Sequence, residues 1–341
     1  MESQIKNSRI LVTGGAGFIG SNLCEKLLLQ DNEVICLDNF STGHRSNIER
    51  FLGDQRFMLI NGDIRDRNTC SRAMDGIDFV LHHAALGSVP RSVADPMTST
   101  DVNVTGFVNI LFAAKESKVK RFIYASSSSV YGDQPILPKV ENQIGKPLSP
   151  YAITKWSNEV IAMNFSELYG IETVGLRYFN VFGPWQDPNG PYAAVIPKWI
   201  LLMLKGEKPV IHGDGNNSRD FTYIDNVVSA NQLAAVMNAE LNAEQKPTFQ
   251  QHGSVYNNVF NIACGKRTDL NQLFYFIREG LIQFESRIQE LEPVYGLHRE
   301  GDIPHSLADI SKAKQEIGYQ PVVGVKEGLK KTCEWFASRT M

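Results

Sequence analysis

The sequence is poor in cysteine and has no long apolar run. Its five cysteines, an odd number, are scattered along 341 residues without a C-x-x-C pair. This excludes a disulfide framework and a zinc site, and it predicts a reducing, cytoplasmic location. No apolar stretch approaches the ~20 residues that span a bilayer, and the N-terminal residues lack the pattern of a signal peptide. We therefore expect neither a metal nor a membrane anchor.

The sequence also lacks an excess of charge of one sign. Lys and Arg number 34 against 37 Asp and Glu, so the formal net charge is -3. Such a balance gives no general attraction to nucleic acid or anionic lipid. Hydrophobic residues make up 43% and charged residues 21%, as in ordinary globular proteins, and the length suits one large core or two coupled domains.

Short apolar runs alternate with helical patterns in the first half of the chain. The runs that predict strands are 9–13, 33–37, 57–61, 79–82, 121–126 and 173–178. The helical patterns between them include 19–30, 105–117 and 152–169. Unbroken apolar strands are typical of sheets covered on both faces. The alternation predicts an α/β fold with a doubly wound parallel sheet and right-handed crossovers.

After residue 180 this alternation breaks. We expect a loop at 183–190, a strand at 259–263 and an exposed polar loop at 239–254, with helices at 194–205, from about 225, from about 270 and at 325–336. The pattern predicts a doubly wound domain over 1–180 and a smaller mixed α/β substrate domain over 181–341. Part of 220–265 is expected to pack back on the first domain. Ligands of open sheets bind at the carboxyl ends of the strands, here in the cleft between the two parts.

A glycine-rich sequence, TGGAGFIG at 13–20, follows the first predicted strand and opens the first helix. Its glycines fit both G-x-G-x-x-G and G-x-x-G-x-x-G. Glycine lets the backbone turn tightly and approach a pyrophosphate, whose charge meets the free N–H groups and dipole of the helix start. This context predicts a Rossmann-type dinucleotide site. Its residues are Gly14, Gly17, Phe18, Ile19 and Gly20.

Asp38 ends the second strand, eighteen positions after Gly20. A carboxylate there can accept both ribose hydroxyls of adenosine and repels a 2′-phosphate, which favours NAD over NADP. Arg45 lies nearby, so NADP stays the disfavoured alternative. Asp63 and Ile64, after the third strand, suit an adenine contact. The other predicted cofactor-binding residues are Asn39, Ser41, Gly43, Ala84, Asn103 and Phe179.

Tyr151 and Lys155 follow Pro150, a residue type favoured at the first position of a helix, so both are expected on one helix face. A free tyrosine has a pKa of about 10. A nearby ammonium and a positive nicotinamide favour the phenolate, so we expect a lowered pKa that suits Tyr151 to proton exchange. The four serines at 126–129 place hydroxyls at the carboxyl end of a strand, where doubly wound sheets have their active sites.

Several motifs together resemble the extended short-chain dehydrogenase/reductase family of nucleotide-sugar enzymes. They are TGGAGFIG, DNFSTG, GDIRD, HHAALGSVPRS, ASSSSVYG, SPYAITK, LRYFNVFG, RDFTYIDNV and REGD. HHAALGSVPRS, RYFNVFG, QDPNGPYAAVIPKW and GDIPHSLADI are most similar to bacterial UDP-N-acetylglucosamine 4-epimerases of surface-polysaccharide synthesis.

This resemblance implies a catalytic triad of Ser127, Tyr151 and Lys155. Tyr151 takes the proton of the sugar's 4-hydroxyl, while the hydride from carbon 4 passes to tightly held NAD. The 4-keto sugar then rotates and takes the hydride back on its other face. Ser127 hydrogen-bonds the 4-oxygen, and Lys155 binds the nicotinamide ribose and lowers the pKa of Tyr151.

The resemblance also implies a UDP-sugar pocket. Arg219 and Arg299 match nucleotide-sugar positions, where a guanidinium reaches phosphate bidentately. Asp302 is expected on the uridine ribose, and Asn180 on the diphosphate or the sugar. The remaining predicted substrate contacts, beside the triad serine and tyrosine, are Gly87, Ser88, Arg91, Ser128, Ser129, Gln186, Ala194, Val195, Lys198 and Ser306.

Four positions in this pocket bear on specificity. Ser306 is small and leaves room for a 2-N-acetyl group, where a bulky aromatic restricts the site to hexoses; Gly87 leaves space as well. Pro184 and Trp185 replace two arginines that close relatives carry. That departure bears on a 6-carboxylate substrate, which Arg91 could still serve.

Several activities remain open from the sequence. The first is 4-epimerisation of UDP-N-acetylglucosamine; the same reaction on its uronic acid or on UDP-glucose is the alternative. A dehydratase or decarboxylase is disfavoured because Ser128 and Ser129 stand where dehydratases usually carry acidic residues. The intact triad argues against a non-catalytic nucleotide-binding protein. The resemblance also implies a homodimer through the helices near 105–117 and 152–168.

Overall fold

The computed structural model describes residues 4–189, 192–237, 258–298 and 303–340. Its strands are β1 (Arg9–Thr13), β2 (Glu33–Asp38), β3 (Phe57–Asn61), β4 (Phe79–His82), β5 (Arg121–Ser127), β6 (Thr173–Tyr178), β7 (Val181–Phe182), β8 (Val210–His212), β9 (Ser218–Arg219), β10 (Thr222–Tyr223), β11 (Val259–Ile262), β12 (Thr268–Asp269) and β13 (Val294–Gly296). Its helices are α1 (Phe18–Leu28), α2 (Arg67–Ala73), α3 (Val89–Ala94), α4 (Pro96–Thr100), α5 (Gly106–Glu116), α6 (Pro150–Tyr169), α7 (Val195–Leu204), α8 (Ile224–Val236), α9 (Leu270–Leu281), α10 (Ser311–Ile317) and α11 (Val325–Thr340).

A seven-stranded sheet forms the centre, in the order β11-β6-β5-β4-β1-β2-β3, and all its neighbouring strands are parallel. The chain moves outward from β1 to β3 and then returns to β4 on the other side of β1. The carboxyl ends of β1 and β4 therefore flank the point where the strand order reverses, which is where such sheets bind ligands. The predicted α/β class with a doubly wound parallel sheet is confirmed.

The central strands are apolar because the sheet is covered on both faces. Val12 and Cys36 pack into one hydrophobic cluster, and the adjacent Leu11 and Leu37 pack into another. Since successive side chains of a strand point to opposite faces, one strand serves both cores. This is why the apolar runs in the sequence are unbroken rather than alternating.

The second half adds α7, α9 and α11, which pack on one another, and three two-stranded pairs, β7 with β10, β8 with β13 and β9 with β12. Helix α8 contacts α1, β5 and β6, while β11 pairs with β6. The predicted loop at 239–254 lies outside the described residues. The division at residue 180 stays a prediction.

The short helices α2, α3, α4 and α10 were not predicted, because each has too few residues to show a clear 3.6-residue periodicity. A π-helical turn, Asp101–Thr105, joins α4 to α5. Among the described residues, no helix combines the length and apolar composition that crossing a bilayer requires.

Candidate active site

The loop between β1 and α1 forms one wall of a cleft at the strand-order reversal. Gly14 has a left-handed φ of 69°, and a Cβ there would lie 2.7 Å from the Ala84 nitrogen. A Cβ on Gly20 would overlap the Gly14 carbonyl oxygen. Glycine is therefore required at both positions. The cleft is lined by residues that include Gly14, Gly17, Asp38, Asn39, Ser41, Gly43, Asp63, Ile64 and Ala84.

Asp38 lies at the floor of this cleft and is 8% exposed. Its carboxylate accepts hydrogen bonds from the Ala16 and Phe40 amides at 2.9 and 2.8 Å, and burial raises its pKa. Asp63 forms an ion pair with Arg65 at 2.7 Å and accepts from Asn39 at 2.8 Å. The Arg65 hydrogen bond lowers the pKa of Asp63 to about 2. Both carboxylates are held in place by protein donors.

Two further predicted cofactor residues, Asn103 and Phe179, are buried. Asn103 is buried, and its amide accepts from the Leu86 nitrogen at 2.7 Å and donates to the Leu86 oxygen and Thr154 at 3.2 Å. It therefore positions the loop after β4. Phe179 is fully buried, with its ring 6.0 Å from that of Tyr131. Packing thus encloses both side chains, and their contact with the cofactor stays a prediction.

The structure brings Ser127, Tyr151 and Lys155 together beside the cleft. Ser127 ends β5, and α6 begins at Pro150 because Ser149 caps it by accepting from the Ala152 amide at 3.1 Å. Lys155 donates from Nζ to the Ala125 oxygen at 2.8 Å and lies 5.9 Å from the Tyr151 ring centre.

The titration behaviour of the triad differs from the sequence-based expectation. Burial raises the pKa of Tyr151, and a hydrogen bond with Ser127 opposes that rise. Burial also lowers the pKa of Lys155, to about 8, against the attraction of Glu159. In this structure desolvation sets the direction of the Tyr151 pKa shift, and the Lys155 ammonium donates to Ala125. The lowering of this pKa beside a positive nicotinamide stays a prediction.

A buried ion pair behind the triad was missed at the sequence level. The side chains of Arg177 on β6 and Glu159 on α6 are 0% exposed and form two hydrogen bonds, at 2.9 and 2.8 Å. Ser126 also donates to Glu159, and Arg177 donates to the Glu141 oxygen at 2.9 Å. In the sequence, this pair could have been suspected from Arg177, an arginine within the mostly apolar run that forms β6.

The predicted substrate residues fall in three places. Ser88 caps α3 and Arg91 lies on it, while the Ser92 hydroxyl accepts from the Tyr151 amide at 3.0 Å, which joins α3 to the triad helix. Apart from Gly87 and its two chain neighbours, the described residues have no heavy atom within 4 Å of a Cβ built on Gly87. A second group surrounds β9, where Arg219 donates to the Pro304 oxygen at 3.2 Å and the Ser306 amide donates to the Ser218 oxygen at 3.0 Å. Arg299 and Asp302 lie outside the described residues.

The third place is the stretch from Asn180 to α7. Asn180 donates to the Asp220 oxygen at 3.1 Å. Gln186 donates from Nε2 to the Val181 oxygen at 3.2 Å, and its buried Oε1 accepts from no group in the part of the chain that the structure describes. Ala194 caps α7, which carries Val195 and Lys198.

Asp220 was also missed from the sequence. It is fully buried and accepts from the Cys264 and Gly265 amides at 3.0 Å and from the Ala308 amide at 3.3 Å. Burial raises its pKa to about 6. Through these hydrogen bonds, the Asp220 carboxylate links the segment that contains Arg219 to the loops at 264–265 and 308.

A model of the NAD dependent epimerase/dehydratase family matches residues 10–257, most of the chain. The chain belongs to this family. The predicted family and the predicted use of NAD are thereby confirmed.

Several known members of the epimerase/dehydratase family are similar over nearly the whole chain. A putative UDP-glucose 4-epimerase of Methanocaldococcus jannaschii is 38% identical, over 96% of this chain and 97% of that protein. The structure of a Methanobrevibacter ruminantium UDP-N-acetylglucosamine 4-epimerase, in complex with UDP-N-acetylmuramic acid, has a TM-score of 0.88 at 39% identity and covers 98% of this chain and 100% of that chain. A Thermotoga maritima UDP-glucose 4-epimerase with UDP-glucose has a TM-score of 0.85 at 37% identity, with 98% and 100% covered.

The cleft of this epimerase/dehydratase fits NAD. Helix α1 has Gly17 at its N-cap and no side-chain cap among the described residues, so the amides at its start can face a diphosphate. The glycine loop leaves no room for a Cβ at Gly14 or Gly20. Asp38 stands at the end of β2, where a carboxylate can accept ribose hydroxyls.

Proposed function

We propose that the protein catalyses the reversible 4-epimerisation of UDP-N-acetylglucosamine to UDP-N-acetylgalactosamine with bound NAD, for surface-polysaccharide synthesis in a reducing cytoplasm. The observation that carries this proposal is the grouping of Ser127, Tyr151 and Lys155 beside the cofactor cleft. The similarity to 4-epimerases over nearly the whole chain supports the same reaction class.

In this mechanism the protein moves one proton and holds the sugar. Bound NAD supplies the acceptor and donor of hydride for a transient oxidation at carbon 4. Tyr151 exchanges the proton of the 4-hydroxyl, and the hydrogen bond from Ser127 favours its phenolate. Lys155, whose Nζ lies 5.9 Å from the Tyr151 ring centre, is proposed to hold the nicotinamide ribose.

The proposed preference for an N-acetylated sugar rests on side-chain size. Ser306 is a small residue held against β9 by its amide, and Gly87 faces open space. The Methanobrevibacter enzyme, which binds an N-acetylated nucleotide sugar, supports this choice. The Thermotoga enzyme, which binds UDP-glucose, supports the alternative substrate.

Proton NMR of the purified protein without added cofactor tests the proposal. UDP-N-acetylglucosamine, its uronic acid and UDP-glucose are supplied separately. We expect new galacto-configured anomeric signals that form fastest from UDP-N-acetylglucosamine. If UDP-glucose or the uronic acid is converted faster, that compound is the preferred substrate. A keto, dehydrated or decarboxylated product indicates a dehydratase or decarboxylase instead of an epimerase.

Replacing Ser306 by tyrosine tests the specificity argument. The ratio of kcat/KM for UDP-N-acetylglucosamine to that for UDP-glucose is expected to fall by about 10- to 200-fold, because the ring occupies the space of the N-acetyl group. Ser71→Tyr, on the exposed surface of α2, is the control and should leave the ratio unchanged. An unaltered ratio in Ser306→Tyr contradicts this role.

The homodimer stays part of the proposal. Exposed apolar side chains cluster on the two helices implicated by the sequence: Phe112 on α5, and Ile153, Trp156, Leu168 and Tyr169 on α6. Burying such a patch favours association. Phe112→Glu is expected to convert a dimer to a monomer in light scattering coupled to size exclusion. Leu29→Glu, at an exposed position after α1, should not. If the parent protein is itself monomeric in this measurement, the proposed homodimer is wrong.

A further inference from the structure

The segment 183–187, between β7 and α7, crosses to the cofactor half of the molecule. Asn22 on α1 donates from its side chain to the Pro184 oxygen at 3.1 Å. The side chains of His44 and Asp187 approach within 3.1 Å. The His44 amide donates to the Ala16 oxygen at 3.0 Å, so His44 is itself fixed against the glycine loop. The segment therefore contacts α1, which follows the glycine loop, and His44, which is next to Gly43 in the cleft lining.

Trp185 anchors this segment through its ring. Arg50, in the 3₁₀ turn that follows β2, places its guanidinium 4.0 Å from the ring centre of Trp185. Arg339, at the end of α11, places its guanidinium at 4.0 Å as well. Trp335 adds a ring contact with centres 5.0 Å apart. One indole thus joins the cofactor half to the C-terminal helix through favourable cation–π and aromatic contacts.

The backbone at Trp185 indicates that these contacts hold it in place. Its φ is 70°, in the left-handed region that bulky residues rarely adopt. Such a conformation persists only where the surroundings determine it. Arg50 is in turn held by Glu25 at 3.2 Å on α1, the helix that the glycine loop begins.

We propose that Trp185 is a positioning residue that holds segment 183–187 against α1 and the loop after β2, the elements beside the cofactor cleft, and thereby retains NAD between turnovers. An enzyme without net redox change has no need to release its cofactor. A clasp that involves α1, the loop after β2 and α11 opposes that release. The proposal depends on the use of NAD and not on which sugar is the substrate.

The test measures NAD retention without any sugar. Trp185→Ala is expected to purify with substantially less NAD and to release bound NAD at least 10-fold faster, as followed by chromatography of the denatured protein after dilution. Added NAD should restore kcat. Trp185→Phe keeps an aromatic face and should retain most of the NAD. Arg339→Gln, which removes one of the two contacts from α11 and leaves that of Trp335, should also accelerate release.

The control is Lys330→Gln, an exposed position on the same helix. It should retain NAD as the parent protein does. Unchanged release rates in both Trp185→Ala and Arg339→Gln overturn the proposal, and so does equal loss of NAD from Lys330→Gln, which indicates general destabilisation. If Trp185→Ala does not fold, the comparison of Trp185→Phe, Arg339→Gln and Lys330→Gln decides the outcome.

Discussion

Replacement of Tyr151 by phenylalanine is expected to lower kcat by about 10²- to 10⁴-fold, the usual contribution of a positioned proton-transfer group. The substitution removes one oxygen from a half-buried side chain that bonds to Ser127. The ring and its packing remain, so NAD content and nucleotide-sugar affinity should change little. Turnover is measured by the NMR conversion described above, and sugar binding by calorimetry.

Tyr169→Phe provides the matched control for this prediction. Tyr169 lies at the far end of the same helix and is 50% exposed. Its hydroxyl has no part in the proposed chemistry, so turnover should stay within twofold or so of the parent protein. Undiminished turnover in Tyr151→Phe itself would mean that another group transfers the proton.

The pH dependence of turnover has a definite sign. Burial raises the pKa of Tyr151, so the phenolate fraction, and with it a rate that depends on the phenolate, rises as the pH increases. The residual activity of Tyr151→Phe should lose this rise. A pH–rate profile of both proteins checks this.

Replacement of Arg177 by methionine is expected to lower the free energy of unfolding by about 3–5 kcal/mol. The Arg177 and Glu159 side chains are both 0% exposed, so the substitution leaves a buried carboxylate without its partner. Denaturant unfolding of the NAD-saturated protein measures the loss. Because Glu159 also accepts from Ser126, next to the triad serine, kcat should fall as well.

Two further variants distinguish the destabilisation caused by an unpaired buried charge from that caused by lost packing. Arg287→Met removes an arginine whose side chain is 86% exposed and pairs with Glu285, and it should change the free energy of unfolding by less than about 0.5 kcal/mol. The double variant Arg177→Met, Glu159→Leu should be more stable than Arg177→Met alone, because no unpaired charge remains. A double variant less stable than the single one contradicts the ion-pair explanation.

The sequence by itself determined the central sheet and the glycine loop, and through the family resemblance it predicted the grouping of Ser127, Tyr151 and Lys155. Each depends on a local pattern. Unbroken apolar runs predict covered strands, glycines between a strand and a helix predict a dinucleotide site, and Tyr151 and Lys155 are four residues apart on one helix. The motifs also indicate the family, since they occur in the family's order along nearly the whole chain.

Only the tertiary structure decided how these groups are supported and charged. The Glu159–Arg177 pair and the amides around Asp220 join residues far apart in sequence, which no spacing encodes. The raised pKa of Tyr151 follows from desolvation, and the enclosure of Asn103 and Phe179 follows from tertiary packing. Burial and long-range contact are properties of the folded chain, so the support of the site became visible only in the fold.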